Sequence, residues 1–177
     1  MPHSLFDTRV DIFALVDAAR DLDAVKMIRE HGVRHASLYT GVSAELLGDY
    51  APYLVDACHN SEFRRSLVDR VWGGSSCVFV ESKVVFADLW SHFRRFLMVE
   101  DEAGRELYFR FYDPRVMRVF LPSCSHAEVA AFFGPVDAFL MEDASPAQML
   151  TFRPGTQERP LYRAITTFNK LDSSENV

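Results

Sequence analysis

Lysine is nearly missing from this 177-residue sequence. Only Lys26, Lys83 and Lys170 occur, so 16 of the 19 basic residues are Arg. Cysteine is also scarce, and the three present, Cys58, Cys77 and Cys124, are odd in number and far apart. That spacing argues against a disulfide framework and fits reduced thiols in a cytosolic protein. No stretch reaches the roughly 20 consecutive apolar residues that a membrane-spanning helix needs, so no membrane partner is expected. Met1 to Asp11 hold two Asp, one Arg and no apolar run, unlike a secretory signal peptide, and the expected location is the cytoplasm. Basic charge is in deficit, 19 residues against 25 acidic ones for a net charge of −6, which argues against a phosphate backbone as the main partner.

Chemical motifs are equally sparse. The sequence has no Gly-x-Ser-x-Gly elbow, no phosphate loop and no dinucleotide fingerprint. Gly73-Gly74-Ser75-Ser76 leads from a helix into a strand, the reverse of a phosphate loop, and reads as a helix C-cap. Cys124-Ser125-His126 and Cys58-His59 are the only local pairs of metal-ligating type, and neither has the spacing of a metal site, so no metal and no cofactor are expected. Glu100, Asp101 and Glu102 beside Gly104 fit a solvated turn better than a catalytic carboxylate pair. A Cys/His nucleophile remains an alternative on paper, with nothing in the sequence to bring a chosen pair together.

What the sequence does have is aromatic mass and arginine. Fifteen Phe, six Tyr and two Trp accompany a composition that is 49% hydrophobic and 25% charged, which suits one globular domain of this length. The expected class is α/β, a single-domain mixed β-sheet with short flanking helices and a central β-hairpin. Strands are expected at Val10 to Val16, Ala36 to Tyr39, Tyr53 to Val55, Cys77 to Val80, Val136 to Met141 and Met149 to Phe152. Helices are expected after the caps Asp21, Ser43, Ser61, Asp113 and Ser125, and over Val85 to Phe96. The first helix carries Leu22, Val25 and Ile28 on one face. The helix from Val85 presents Phe86, Leu89, Phe93 and Phe96, with His92 largely elsewhere. From Leu97 to Asp113 the period changes to that of a hairpin, with Leu107, Phe109 and Phe111 on one face and Glu106, Tyr108, Arg110 and Tyr112 on the other. An apolar segment runs over Leu161 to Phe168, and residues 169–177 read as a disordered tail.

Residues 61–120 hold ten basic and nine acidic residues, so the rest of the chain carries the acidic excess. In that region Arg94, Arg95, Arg105, Arg110, Arg115 and Arg118 surround Tyr108, Tyr112 and Phe120. The mixture also occurs in binders of single-stranded nucleic acid, which leaves such a module as a second alternative, weakened by the acidic neighbours.

Several runs together resemble one bacterial family. They are Phe13-Ala-Leu-Val-Asp-Ala-Ala-Arg20, Ser37-Leu-Tyr39, Ala51-Pro-Tyr-Leu-Val55, Trp72-Gly73, Phe93-Arg-Arg-Phe-Leu-Met-Val99, Leu107-Tyr-Phe-Arg-Phe-Tyr-Asp-Pro-Arg-Val116, Phe120-Leu-Pro122 and Phe132-Phe-Gly-Pro135. The most specific are the Arg-Arg-Phe-Leu and Tyr-Asp-Pro-Arg runs, in that order across a short hairpin. The family resembled is domain of unknown function 4123, described as type VI secretion effector chaperones or adaptors. The resemblance implies a non-enzymatic cytosolic protein that binds a type VI secretion effector and helps load it onto the valine-glycine-repeat spike protein, VgrG. It spans about residues 10–142, so 1–142 reads as the adaptor domain and 143–168 as an extension packed on it. The expected partner face comprises Arg94, Arg95, Tyr108, Arg110, Tyr112, Asp113 and Arg115. A structural reading stands beside it, in which Asp113 caps the following helix and pairs with Arg115 or with an arginine of the preceding helix.

Overall fold

The computed structural model describes Leu5 and residues 10–100 and 103–168; the expected tail at 169–177 and the hairpin-turn residues 101–102 lie outside them. Nine strands and six α-helices alternate along the described residues. Seven strands form one sheet: β1 (Ile12–Asp17), β2 (His35–Ser37), β3 (Pro52–Asp56), β4 (Cys77–Ser82), β7 (Val136–Glu142), β8 (Gln148–Pro154) and β9 (Leu161–Thr167). Their spatial order is β2-β3-β1-β4-β7-β8-β9, and each neighbouring pair is antiparallel. The strand, helix, strand unit expected at the start is present, with β1 and β2 running the same way. Strand β3 is inserted between them, antiparallel to both.

Helices cover both faces, which explains why the central strands are apolar on both sides. Ile12, Ala14 and Val16 of β1 pack with α1 (Leu22–Glu30) and α3 (Ser61–Val71), while Phe13 and Leu15 pack on the other face with α4 (Phe86–Arg94), α5 (Pro114–Ser123) and α6 (His126–Phe133). Residues 143–168 supply β8 and β9 to the same sheet, and Leu150 and Phe152 are buried in the second core.

Three of the expected caps are observed: Asp21, Asp113 and Ser125 accept from Ala24 N, Arg115 N and Glu128 N, and Ser125 and Glu128 form a reciprocal capping box. The other two shift by one or two residues. Asn60, rather than Ser61, caps α3 through Phe63 N, because its carboxamide oxygen lies one residue earlier, at the extended position a cap needs. Helix α2 (Val42–Leu47) starts after Gly41 at φ 58°, not at Ser43, and has no side-chain cap; the left-handed turn that glycine permits replaces it. Leu22 is 52% exposed rather than facing the core, because at the first helical position it lies outside the Ala24, Val25, Ile28 stripe. His92 is buried, where the helical pattern placed it largely off the apolar face.

The hairpin is present but short. Strands β5 (Met98–Glu100) and β6 (Glu106–Tyr108) pair antiparallel as a separate two-stranded sheet, and all six of their residues are exposed. The two-faced alternation through Tyr112 is therefore corrected. Phe109 N donates to Leu97 O as a last rung, and the chain then closes a turn in which Asp113 N donates to Arg110 O at 3.0 Å. Phe111 and Tyr112 occupy that turn and are both buried.

Candidate functional site

The turn from Arg110 to Asp113 delivers most of the expected site residues to one end of the sheet, beside the last residue of β1. Arg110 Nη2 donates to Asp17 Oδ2 at 2.6 Å and approaches Asp113 Oδ2 at 3.8 Å. Asp113 caps α5 through Arg115 N at 2.9 Å, and its two carboxylate oxygens accept from Arg115 Nε at 3.0 Å and Nη2 at 2.7 Å. This fork geometry matches a planar guanidinium to a carboxylate, the stronger class of charge-assisted hydrogen bond. Burial pushes the Asp113 carboxyl up, but the Arg115 side chain and backbone N–H together with Arg110 outweigh it and hold it below the usual carboxylate range. Next to it, the Tyr112 phenol is pushed up by burial first and by the neighbouring Tyr39 and Asp17 second. Arg110 also lies 5.9 Å from the Tyr112 ring centroid.

Tyr39 links this cluster to the hairpin and to α4. Its ring is 6.1 Å from that of Tyr108, and the adjacent Thr40 Oγ1 accepts from Arg94 Nη2 at 2.5 Å, with the Arg94 guanidinium 4.5 Å over the Trp90 ring. Arg95 belongs to a different contact. Its Nη2 donates to His92 Nδ1 at 2.8 Å while His92 Nε2 donates to Phe132 O at 2.8 Å, an arrangement that requires the neutral ring. Burial, helped by the Arg95 charge, lowers the His92 pKa against the backbone bond to Phe132.

The seven expected residues thus separate by exposure. Tyr108 and Arg95 face solvent, Arg94, Arg110 and Arg115 are partly exposed or exposed, and Tyr112 and Asp113 are 5% and 2% exposed. The outward orientation expected for Tyr112 is corrected by the turn that carries it inward. Asp113 and Arg115 make the contacts of the structural reading. The Nε groups of Arg94 and Arg110 are buried with no hydrogen-bond partner. Asp17 and Tyr39 are the residues that sequence reasoning missed. The signal for Asp17 was an acid ending an apolar strand run, which is costly to bury unless paired.

Burial pushes the thiols up: Cys58 strongly, with Asp56 and Asp11 adding to it, Cys77 well up, and Cys124 up to about 11. A nucleophilic thiol needs the opposite shift. Among the described residues no group of three or more His, Cys, Asp or Glu could hold a metal ion, and no helix is long and apolar enough to cross a membrane.

The buried carboxylates of Asp17 and Asp113, paired with the half-exposed Arg110 and Arg115, give the Tyr-Asp-Pro-Arg run its place in the fold, and the family model for the domain of unknown function DUF4123 matches residues 12–131, well over half of the chain. The chain belongs to the DUF4123 family. No curated protein and no solved structure matches it. The matched DUF4123 segment ends inside α6, so it includes β1 to β6 and leaves β7, β8 and β9 of the sheet beyond it.

Proposed function

We propose that this DUF4123 protein is a non-enzymatic adaptor that binds a type VI secretion effector in the cytosol and assists its loading onto the VgrG spike. The observation that carries the reading is the β5–β6 hairpin. Met98 and Tyr108 on one face of the ribbon are 40% and 56% exposed and Val99 and Leu107 on the other are 37% and 47% exposed, two apolar pairs with no covering element among the described residues. Grouped exposed apolar side chains mark partner sites, and aromatic and Arg residues supply most binding energy where they occur. Arg94 stands over Trp90 and bonds Thr40 next to Tyr39, whose ring meets Tyr108 of the hairpin, and Arg110 and Arg115 lie where the hairpin joins α5. The three raised thiols support the absence of thiol catalysis in this reading.

The test is a pull-down from a lysate with native expression, using the wild type and a Leu107→Ser, Tyr108→Ala variant whose fold is checked by circular dichroism. Both positions are exposed, so the variant should fold. The wild type is expected to recover a large effector, the VgrG spike or both, identified by mass spectrometry, and the variant is expected to lose them. Recovery of neither by the wild type overturns the adaptor reading. A folded variant that still binds moves the contact away from the hairpin.

A further inference from the structure

The two edges of the seven-stranded sheet are treated differently. At one edge, β2 has three residues, and its backbone alternation is fixed because Leu38 N donates to Pro52 O and Asp56 N donates to Arg34 O. Those even-numbered residues face β3, so Ser37 faces outward, and its carbonyl is taken by Trp90 Nε1 at 2.9 Å. That edge is short and capped. At the other edge, β9 has seven residues in unbroken register with β8, from Leu161 opposite Pro154 to Thr167 opposite Gln148. It contains no proline, glycine or bulge, and its single charge, Arg163, is near Asp143 at 3.9 Å. Long, regular, nearly uncharged edges are what proteins avoid leaving open, because the outward N–H and C=O groups template another strand.

Which groups point outward follows from two hydrogen bonds. Phe168 N donates to Ala147 O and Gly155 N donates to Pro160 O, both at 2.8 Å, so even-numbered residues face β8. In an antiparallel ladder the alternate residues face away, which here are Leu161, Arg163, Ile165 and Thr167. We infer that this edge pairs with β9 of a second copy of the chain, antiparallel and about a two-fold axis at Ala164.

The sequence of the strand is self-complementary in that register. Leu161 meets the partner's Thr167 and Arg163 meets the partner's Ile165, and each outward residue faces an outward residue, so eight N–H and C=O groups on each strand face their counterparts. On the even face Tyr162 meets the partner's Thr166, an aromatic beside a β-branched residue. Tyr162 and Ile165, 51% and 50% exposed in the single chain, become cross-strand contacts. Shifting the axis by one residue to Arg163 would set the two Arg163 side chains directly opposite each other, which like-charge repulsion disfavours. A two-fold axis also closes the assembly, since each sheet then has its other edge at the capped β2.

The experiment uses the full chain, 20.2 kDa, with Ile165→Lys and Ile165→Glu, which lose the same apolar side chain but carry opposite charge to the partner's Arg163. Light scattering after gel filtration is expected to give twice the chain mass for the wild type. The dimer dissociation constant should be about tenfold or more higher for Ile165→Lys than for Ile165→Glu, since each substitution acts twice across the axis. Amide exchange at residues 163 and 165 should slow as protein concentration rises. A wild type that remains at the single-chain mass up to about 0.1 mM overturns the inference. So does equal dissociation of the two variants, with folding of both verified by circular dichroism.

Discussion

Asp113 shows how a residue of a recognition-like motif serves the fold. Its carboxylate caps α5, holds Arg115 in a two-pronged pair and lies within ion-pair distance of Arg110, while its side chain is 2% exposed. Its depressed pKa carries a sign that can be tested. A carboxyl lower in the folded state than in the unfolded one contributes stability above the ordinary carboxylate range, and that contribution is lost as pH falls through the folded value. Asp113→Asn keeps a capping oxygen and removes the charge. It is expected to cost about 2 kcal/mol at neutral pH, the scale of hydrogen bonds to a charged group. The difference from wild type should shrink below about pH 4 as the native carboxyl protonates. Urea unfolding at the two pH values measures both.

At the scale of elements, the join between α6 and β7 depends on one close approach. Gly134 has φ 49°, and a Cβ there would lie 2.6 Å from His92 Cε1. The His92 ring has no freedom to retreat, since both nitrogens are hydrogen-bonded and its ring packs 5.3 Å from Phe93 and 5.1 Å from Phe96. Gly134→Ala is therefore expected to lose at least about 2 kcal/mol, combining the left-handed penalty with overpacking, and a lower denaturation midpoint checks it. This scale is also where the sequence was most and least informative. The Phe86, Leu89, Phe93 stripe and the Ser125 cap were legible because they are local, set by spacing within one helix. The burial of His92 was not, because its partners Phe132 and Gly134 are some 40 residues away in sequence. Likewise, alternation carries no notice of the turn at Arg110–Asp113, so Tyr112 read as a surface residue, and the pairing of Asp17 with Arg110 spans 93 positions.

For the whole molecule, the unit that folds extends past the family-matched segment. Leu150 and Phe152 of β8 are fully buried, and β8 pairs with β7 from Phe139 opposite Phe152 to Glu142 opposite Met149. A chain ending at residue 142 would leave one edge of β7 unpaired and strip the α4–α6 core of two large side chains, each worth about 2–5 kcal/mol when truncated to alanine. That total rivals the 5–15 kcal/mol by which a domain is stable. Such a chain is expected to lose its cooperative thermal transition, which calorimetry would detect; a sharp transition near that of the full chain would contradict this account.

The two tryptophans report on these layers separately. Trp72 belongs to the α1–α3 side, stacked 3.8 Å from Phe168 with Nε1 bonded to Pro146 O. Trp90 packs on the α4–α6 side, under the Arg94 guanidinium. Each indole is thus an intrinsic optical label for one face of the sheet. With either replaced by Phe, the remaining emission follows a single layer, so coincident unfolding curves would mean that the sheet couples both helical layers into one cooperative unit.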